Sequence, residues 1–127
     1  MERRRALVID DEQIVLDSVH KILTSENYEV DTSLRGEKGI KMAIKYPYDI
    51  VLTDIRMPEL NGIELLQSIK SKYPEIPVVI ITGYPLAYPP EKAATEGAAG
   101  YIAKPFRINQ IDKLLGKILY NFESKEF

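Results

Sequence analysis

Four short apolar runs end in polar residues of complementary chemistry. Ala6-Leu7-Val8-Ile9 leads into Asp10-Asp11, and Ile50-Val51-Leu52 leads through Thr53 into Asp54. Val78-Val79-Ile80-Ile81 ends at Thr82, and Gly100-Tyr101-Ile102-Ala103 ends at Lys104. Three carboxylates gathered in one place repel each other, by about 4 kcal/mol for a pair ~4 Å apart at an effective dielectric of ~20. Lys104 offsets one charge. A hard divalent cation offsets more, and Mg²⁺ takes one or two carboxylates together with waters and phosphate oxygens. The same cation can clamp a phosphoryl group in transfer. A carboxylate can also be the nucleophile and form an acyl phosphate, with Thr82 and Lys104 suited to hold phosphoryl oxygens. Singly, each residue has a plainer reading: Asp10-Asp11 as a helix cap, Asp54 as a turn aspartate, Lys104 as a solvated lysine. The specificity lies in their convergence.

Convergence requires that the runs be neighbouring strands pointing the same way. Three of them are continuously apolar, as strands covered on both faces are. Tyr28 to Thr32 alternates apolar and polar, which suits an edge strand, and Gly100 to Ala103 makes a fifth, weaker strand. Between them lie residues at helical spacing: Val15, Val19, Ile22 and Leu23; Ile40, Ala43 and Ile44; Ile63, Leu66 and Ile69, opened by Asn61-Gly62; and Ile111, Leu114, Leu115 and Ile118, over about residues 108–121. A short helix between Pro89-Pro90 and Gly97 completes the series. Strand and helix alternate five times. That order predicts an α/β fold of flavodoxin-like (βα)5 type: a doubly wound, five-stranded parallel sheet, order 2-1-3-4-5, with helices on both faces. Ligands bind such sheets at the carboxyl ends of the strands. One domain over 1–121 is expected, followed by a polar, frayed tail over 122–127.

Composition narrows the function classes. The chain has 127 residues, 45% hydrophobic and 28% charged, as usual for one globular domain. It has no cysteine, which excludes disulfides, zinc–thiolate sites and thiol catalysis. A formal charge of −2 argues against nucleic-acid binding by this domain, and Arg3-Arg4-Arg5 reads as a solvated flank. No apolar stretch approaches the ~18 residues of a membrane helix, and no secretory signal is visible. A cytoplasmic domain without membrane contact is expected.

The motifs Val8-Ile9-Asp10-Asp11-Glu12, Thr53-Asp54-Ile55-Arg56-Met57-Pro58 with Asn61-Gly62, Ile81-Thr82-Gly83 and Tyr101-Ile102-Ala103-Lys104-Pro105-Phe106 resemble the receiver domains of bacterial two-component response regulators. The resemblance runs from about Arg5 to Leu119. It implies that Asp54 accepts a phosphoryl group from a histidine kinase, a histidine phosphotransfer protein or a small acyl phosphate. It implies Mg²⁺, or Mn²⁺, bound by Asp11, Asp54 and the backbone carbonyl of Arg56, with Asp10 acting through a bound water. Lys104 would pair with Asp54 before transfer and with a phosphoryl oxygen after it. Thr82 and Tyr101 would be the switch, and the Lys104–Pro105 bond would be cis. Such a domain catalyses only its own phosphorylation and dephosphorylation. It controls a downstream partner or a covalently linked output domain. Ile14, Val15, Pro105 and Phe106 form either core packing or, as the resemblance implies, a dock for a kinase helix bundle.

Two other classes share the sheet. A Mg²⁺-dependent phosphohydrolase with an aspartate nucleophile wants a second aspartate two residues on, where this chain has Arg56. A flavin module needs a hydroxyl- and glycine-rich phosphate loop after the first strand, where this chain has Asp10-Asp11-Glu12. Some features depart from the receiver pattern. Pro85, Pro89 and Pro90 stiffen the segment after Thr82. Arg56 overhangs the acceptor. Arg107 stands where a helix-capping residue is common, leaving Asn109 as the candidate cap. His20 reads as a surface residue, and Tyr46, Tyr48, Tyr84, Tyr88 and Tyr120 as scattered packing.

Overall fold

The computed structural model describes residues 3–57 and 60–124. Five strands, β1 (Arg4–Ile9), β2 (Tyr28–Ser33), β3 (Ile50–Asp54), β4 (Val78–Thr82) and β5 (Gly100–Ala103), form one sheet. They alternate with five helices: α1 (Gln13–Ser25), α2 (Gly36–Lys45), α3 (Gly62–Lys72), α4 (Pro90–Thr95) and α5 (Ile108–Ser124). The sheet order is β2-β1-β3-β4-β5 and every neighbouring pair is parallel, as the alternation of patterns predicts.

Register carries the functional consequence. Ile9 pairs with Thr53, Asp54 with Ile81 and Thr82 with Ala103. Asp10, Asp54, Thr82 and Lys104 therefore fall within about one residue of a common line along the carboxyl edge. The line holds because both faces of the sheet are packed. Ala6 and Val8 point to one face, with Leu16, Val19 and Leu23 of α1 and Ile111 and Leu115 of α5. Leu7 and Ile9 point to the other, with Ala43 of α2 and Leu65, Leu66 and Ile69 of α3. A slip of one residue would exchange these faces. A third cluster, Ile55, Ile80, Tyr88 and Ala93, seats α4.

Three local details differ from expectation. The chain after β3 makes a small antiparallel ribbon, Arg56–Met57 against Leu60–Asn61, where a turn is expected; Pro58 of that turn lies outside the described residues. The ribbon is closed by Gly62, whose amide donates to the Ile55 carbonyl at 2.9 Å. Helix α5 begins at Ile108, so Asn109 lies inside its first turn rather than capping it. The Gln110 side chain instead accepts from the Arg107 amide at 2.7 Å, half of a capping box. Helix α5 also continues to Ser124, past the expected end at 121; residues 125–127 lie outside the described residues. At α4 the expected boundaries match: Pro90 opens it, and Gly97 follows its end with φ 96°.

Gly62 fixes the distance between α3 and the end of β3. A Cβ there would lie 2.6 Å from the Asp54 carbonyl oxygen and 2.6 Å from the Ile55 Cα, both backbone atoms with no rotamer to yield. Gly62→Ala is expected to destabilise the domain by about 2–3 kcal/mol, read as a lower urea midpoint at unchanged m-value.

Candidate functional site

The carboxyl edge gathers four carboxylates, three of them around one ammonium. Asp10, the first residue after β1, is fully buried, and its Oδ1 accepts from the Glu12 amide at 2.9 Å. Asp11 is exposed. Asp54 ends β3 with 4% of its surface exposed; its Oδ1 accepts from the Arg56 amide at 3.1 Å. Lys104 reaches in from the end of β5. Its Nζ lies 2.8 Å from Asp10 Oδ2, 2.8 Å from Glu12 Oε2 and 3.0 Å from Asp54 Oδ2. The contacts to Glu12 and Asp54 are hydrogen bonds. The contact to Asp10 is an ion pair out of line for a hydrogen bond, and it leaves Asp10 Oδ2 buried without a hydrogen-bond partner.

Burial pushes the Asp10 carboxyl up to about 6. Contact with Lys104 and the bond from the Glu12 amide oppose that rise, and the Asp54 charge adds to it. Desolvation is thus the main cause, ahead of the like-charge repulsion that the sequence alone brings to mind. Burial alone would lower the Lys104 ammonium, but its contacts with Asp10, Glu12 and Asp54 outweigh that and hold it above its ordinary value.

Carboxylate oxygens of Asp10, Asp11 and Glu12 lie within 4.8 Å of one another. They make an all-oxygen donor set, which fits a hard divalent cation. Asp54 is not one of these three, but it shares Lys104 with Asp10 and Glu12. Arg56 opens the ribbon just beyond Asp54.

Thr82 ends β4, fully buried, but its hydroxyl is engaged away from the acid cluster. Its Oγ1 accepts from the Tyr84 amide at 3.0 Å, and its carbonyl accepts from the Lys104 amide at 2.7 Å. Tyr101 is half-buried on β5, and its phenol donates to the Tyr88 carbonyl at 2.6 Å. The Lys104–Pro105 bond is cis. The apolar residues beside the cluster divide. Val15 is core and Phe106 packs against that core, whereas Ile14 is 74% exposed. With Pro105 they line a groove that runs from the acid cluster along α1.

Three contacts escape sequence reasoning. Glu12 stands in the first motif, yet its bond to Lys104, 92 residues on, has no local signal. The Arg56 guanidinium sits 4.4 Å from the Tyr84 ring centroid, so the residue two past Asp54 stacks on the residue two past Thr82. Tyr88 is buried in the α4 cluster while its carbonyl holds Tyr101.

A parallel sheet that collects acids, a lysine and a threonine at its carboxyl edge defines the receiver class of signalling domains. This chain belongs to the response regulator receiver domain family, whose model matches residues 6–116. It is 35% identical over 112 residues to the response regulator ArlR of Staphylococcus aureus, across 88% of this chain and 49% of ArlR. The chain thus spans about half the length of the curated relatives it matches. Among solved structures it is similar to the chemotaxis response regulator CheY4 of Vibrio cholerae, with TM-score 0.82 and 26% identity over 92% of this chain and 99% of that one. It is also similar to NtrX of Brucella abortus, with TM-score 0.88 and 29% identity over 98% of this chain and 29% of that one. The chain is therefore a receiver domain of two-component signalling. Among the described residues, no helix is long and apolar enough to cross a membrane.

The raised Asp10 pKa sets a pH dependence. The folded state binds a proton more tightly than the unfolded chain, so this contribution to stability is full below about pH 4 and is lost as pH rises through about 6. Without divalent cations, Asp10→Asn is expected to gain on the parent across that window. The gain should reach on the order of 2–3 kcal/mol at pH 7, read by urea unfolding at a series of pH values.

Proposed function

We propose that Asp54 accepts a phosphoryl group and that the resulting charge switches the surface around α4 and β5. The observation that supports this most is the Lys104 ammonium held between Asp54 and Asp10 at the binding edge of the sheet. An Asp54 oxygen attacks phosphorus. With a phosphohistidine donor, the P–N bond breaks as the P–O bond forms, and the electron pair returns to the imidazole. With acetyl phosphate, the donor P–O bond breaks and acetate leaves. Mg²⁺ or Mn²⁺, when bound, supplies positive charge to the attacking and transferring oxygens. Asp11, Asp54 and the Arg56 carbonyl would hold it directly, and Asp10 through a water.

The chain's own residues do the rest. Lys104 exchanges a carboxylate for a phosphoryl oxygen, which keeps its charge paired throughout. Thr82 gives up the Tyr84 amide and donates to a second phosphoryl oxygen. Tyr101 gives up the Tyr88 carbonyl and rotates inward. The new group adds about −1.5 to −2 of charge and three acceptor oxygens, and the segment from Thr82 to α4 is the two-state element that this charge biases. Pro85, Pro89 and Pro90 make that segment move as a stiff unit.

The partners follow from the family and the surface. A histidine kinase or histidine phosphotransfer protein docks along Ile14, Val15, Pro105 and Phe106 and presents its phosphohistidine to Asp54. The reader is a downstream protein or a linked output domain, as the greater length of ArlR and NtrX supports. The domain acts in the cytoplasm, without nucleic acid or membrane contact of its own. It turns over no substrate beyond its own acyl phosphate.

Incubation with acetyl phosphate and Mg²⁺ should add the mass of one phosphoryl group to the intact protein. Asp54→Ala, or removal of Mg²⁺ with a chelator, should abolish the adduct. An adduct that survives Asp54→Ala would refute the assignment. Thr82→Ala should still take up the phosphoryl group but lose the shift of the Tyr101 resonance in ¹⁹F-tyrosine spectra that accompanies phosphorylation of the parent.

A further inference from the structure

Glu12 is the carboxylate of the cluster that the proposed function leaves without a role, although its oxygen also lies within 4.8 Å of those of Asp10 and Asp11. It stands at the N-cap of α1 with extended backbone, φ −103° and ψ 116°, and its carbonyl accepts from the amides of Val15 and Leu16. Glutamate is not among the favoured cap residues, which are serine, threonine, aspartate and asparagine. Its side chain makes no cap bond here. It turns instead to Lys104 and accepts from Nζ at 2.8 Å.

The three partners of Lys104 differ in what else they must do. Asp10 and Asp54 are buried, and both would turn oxygens toward a divalent cation. Each oxygen so used is withdrawn from the ammonium. Glu12 is half-exposed, with 55% of its side-chain surface open against 14% for Lys104. It keeps its charge at little desolvation cost and stays free to follow the ammonium.

We propose that Glu12 is a positioning residue for Lys104. It holds the ammonium at the mouth of the site while a cation occupies the Asp10 and Asp54 oxygens, so that Lys104 stays within reach of the incoming phosphoryl group. The last step rests on the function proposed above; the holding of the ammonium in the cation-loaded domain does not.

The test uses the whole chain labelled with ¹⁵N-lysine, with Mg²⁺ alone as probe. The Lys104 side-chain ammonium signal is assigned by its disappearance in Lys104→Arg. In the parent, the signal should persist on addition of Mg²⁺ and shift as Asp10 and Asp54 withdraw. In Glu12→Gln it should be visible without Mg²⁺ and be lost to solvent exchange with it. Loss of the signal in the Mg²⁺-loaded parent would overturn the proposal. So would its persistence in Mg²⁺-loaded Glu12→Gln, or a spectrum unmoved by Mg²⁺ in both proteins. In the second arm, the acetyl phosphate reaction at saturating Mg²⁺ should slow roughly three- to tenfold in Glu12→Gln. It should show no further slowing when that change is added to Lys104→Ala. Equal slowing in both backgrounds would mean a bulk charge effect and would overturn the role through Lys104. A parent that holds its ammonium as described but gains no phosphoryl mass would refute acceptance from acetyl phosphate, meaning a partner-only donor or signalling without phosphate, and would leave the positioning of Lys104 intact.

Discussion

The Lys104 ammonium is what allows acidic side chains to meet inside a folded domain. Asp10 has no exposed surface and Asp54 almost none. A carboxylate taken that far from water is costly unless paired. One lysine serves both and reaches Glu12 as well. The pairing is incomplete: Asp10 Oδ2 has charge beside it but no hydrogen bond. The site therefore holds excess negative charge, a state that a cation relieves.

That arrangement depends on strand register, and register depends on apolar packing. Residues of β1 alternate between two cores, one under α1 and α5 and the other under α2 and α3. Each core fixes the parity of every strand, so the polar residue at each strand end has one place to go. Gly62 adds a second constraint by bringing the start of α3 against the backbone of Asp54 and Ile55. Asp54 is held from behind by packing and from in front by charge.

On the far side of the site the structure is built from exchangeable contacts. The Thr82 hydroxyl holds the Tyr84 amide, Tyr84 stacks under Arg56, and the Tyr88 carbonyl holds Tyr101. Each contact joins the segment after β4 to a residue at or beside the site or on β5. They are single hydrogen bonds or one stacked pair, worth about 1 kcal/mol apiece. Contacts of that size hold one arrangement without preventing another.

Sequence alone determined the order of strands and helices, the doubly wound topology and the edge on which Asp10, Asp54, Thr82 and Lys104 meet. These follow from local periodicity and from the residue that ends each apolar run, and both are written in neighbouring positions. The four motifs also sufficed to place the chain in its family. The tertiary structure alone decided that Asp10 and not its neighbour Asp11 is the buried acid, that desolvation dominates its titration, and that Glu12 turns from its helix to Lys104. It likewise decided that Tyr84 and Tyr88, featureless in sequence, hold Thr82 and Tyr101, and that Gln110 rather than Asn109 caps α5. Each of these depends on depth from solvent or on contacts with residues distant in the chain or across a turn. Such quantities exist only once the chain has closed on itself.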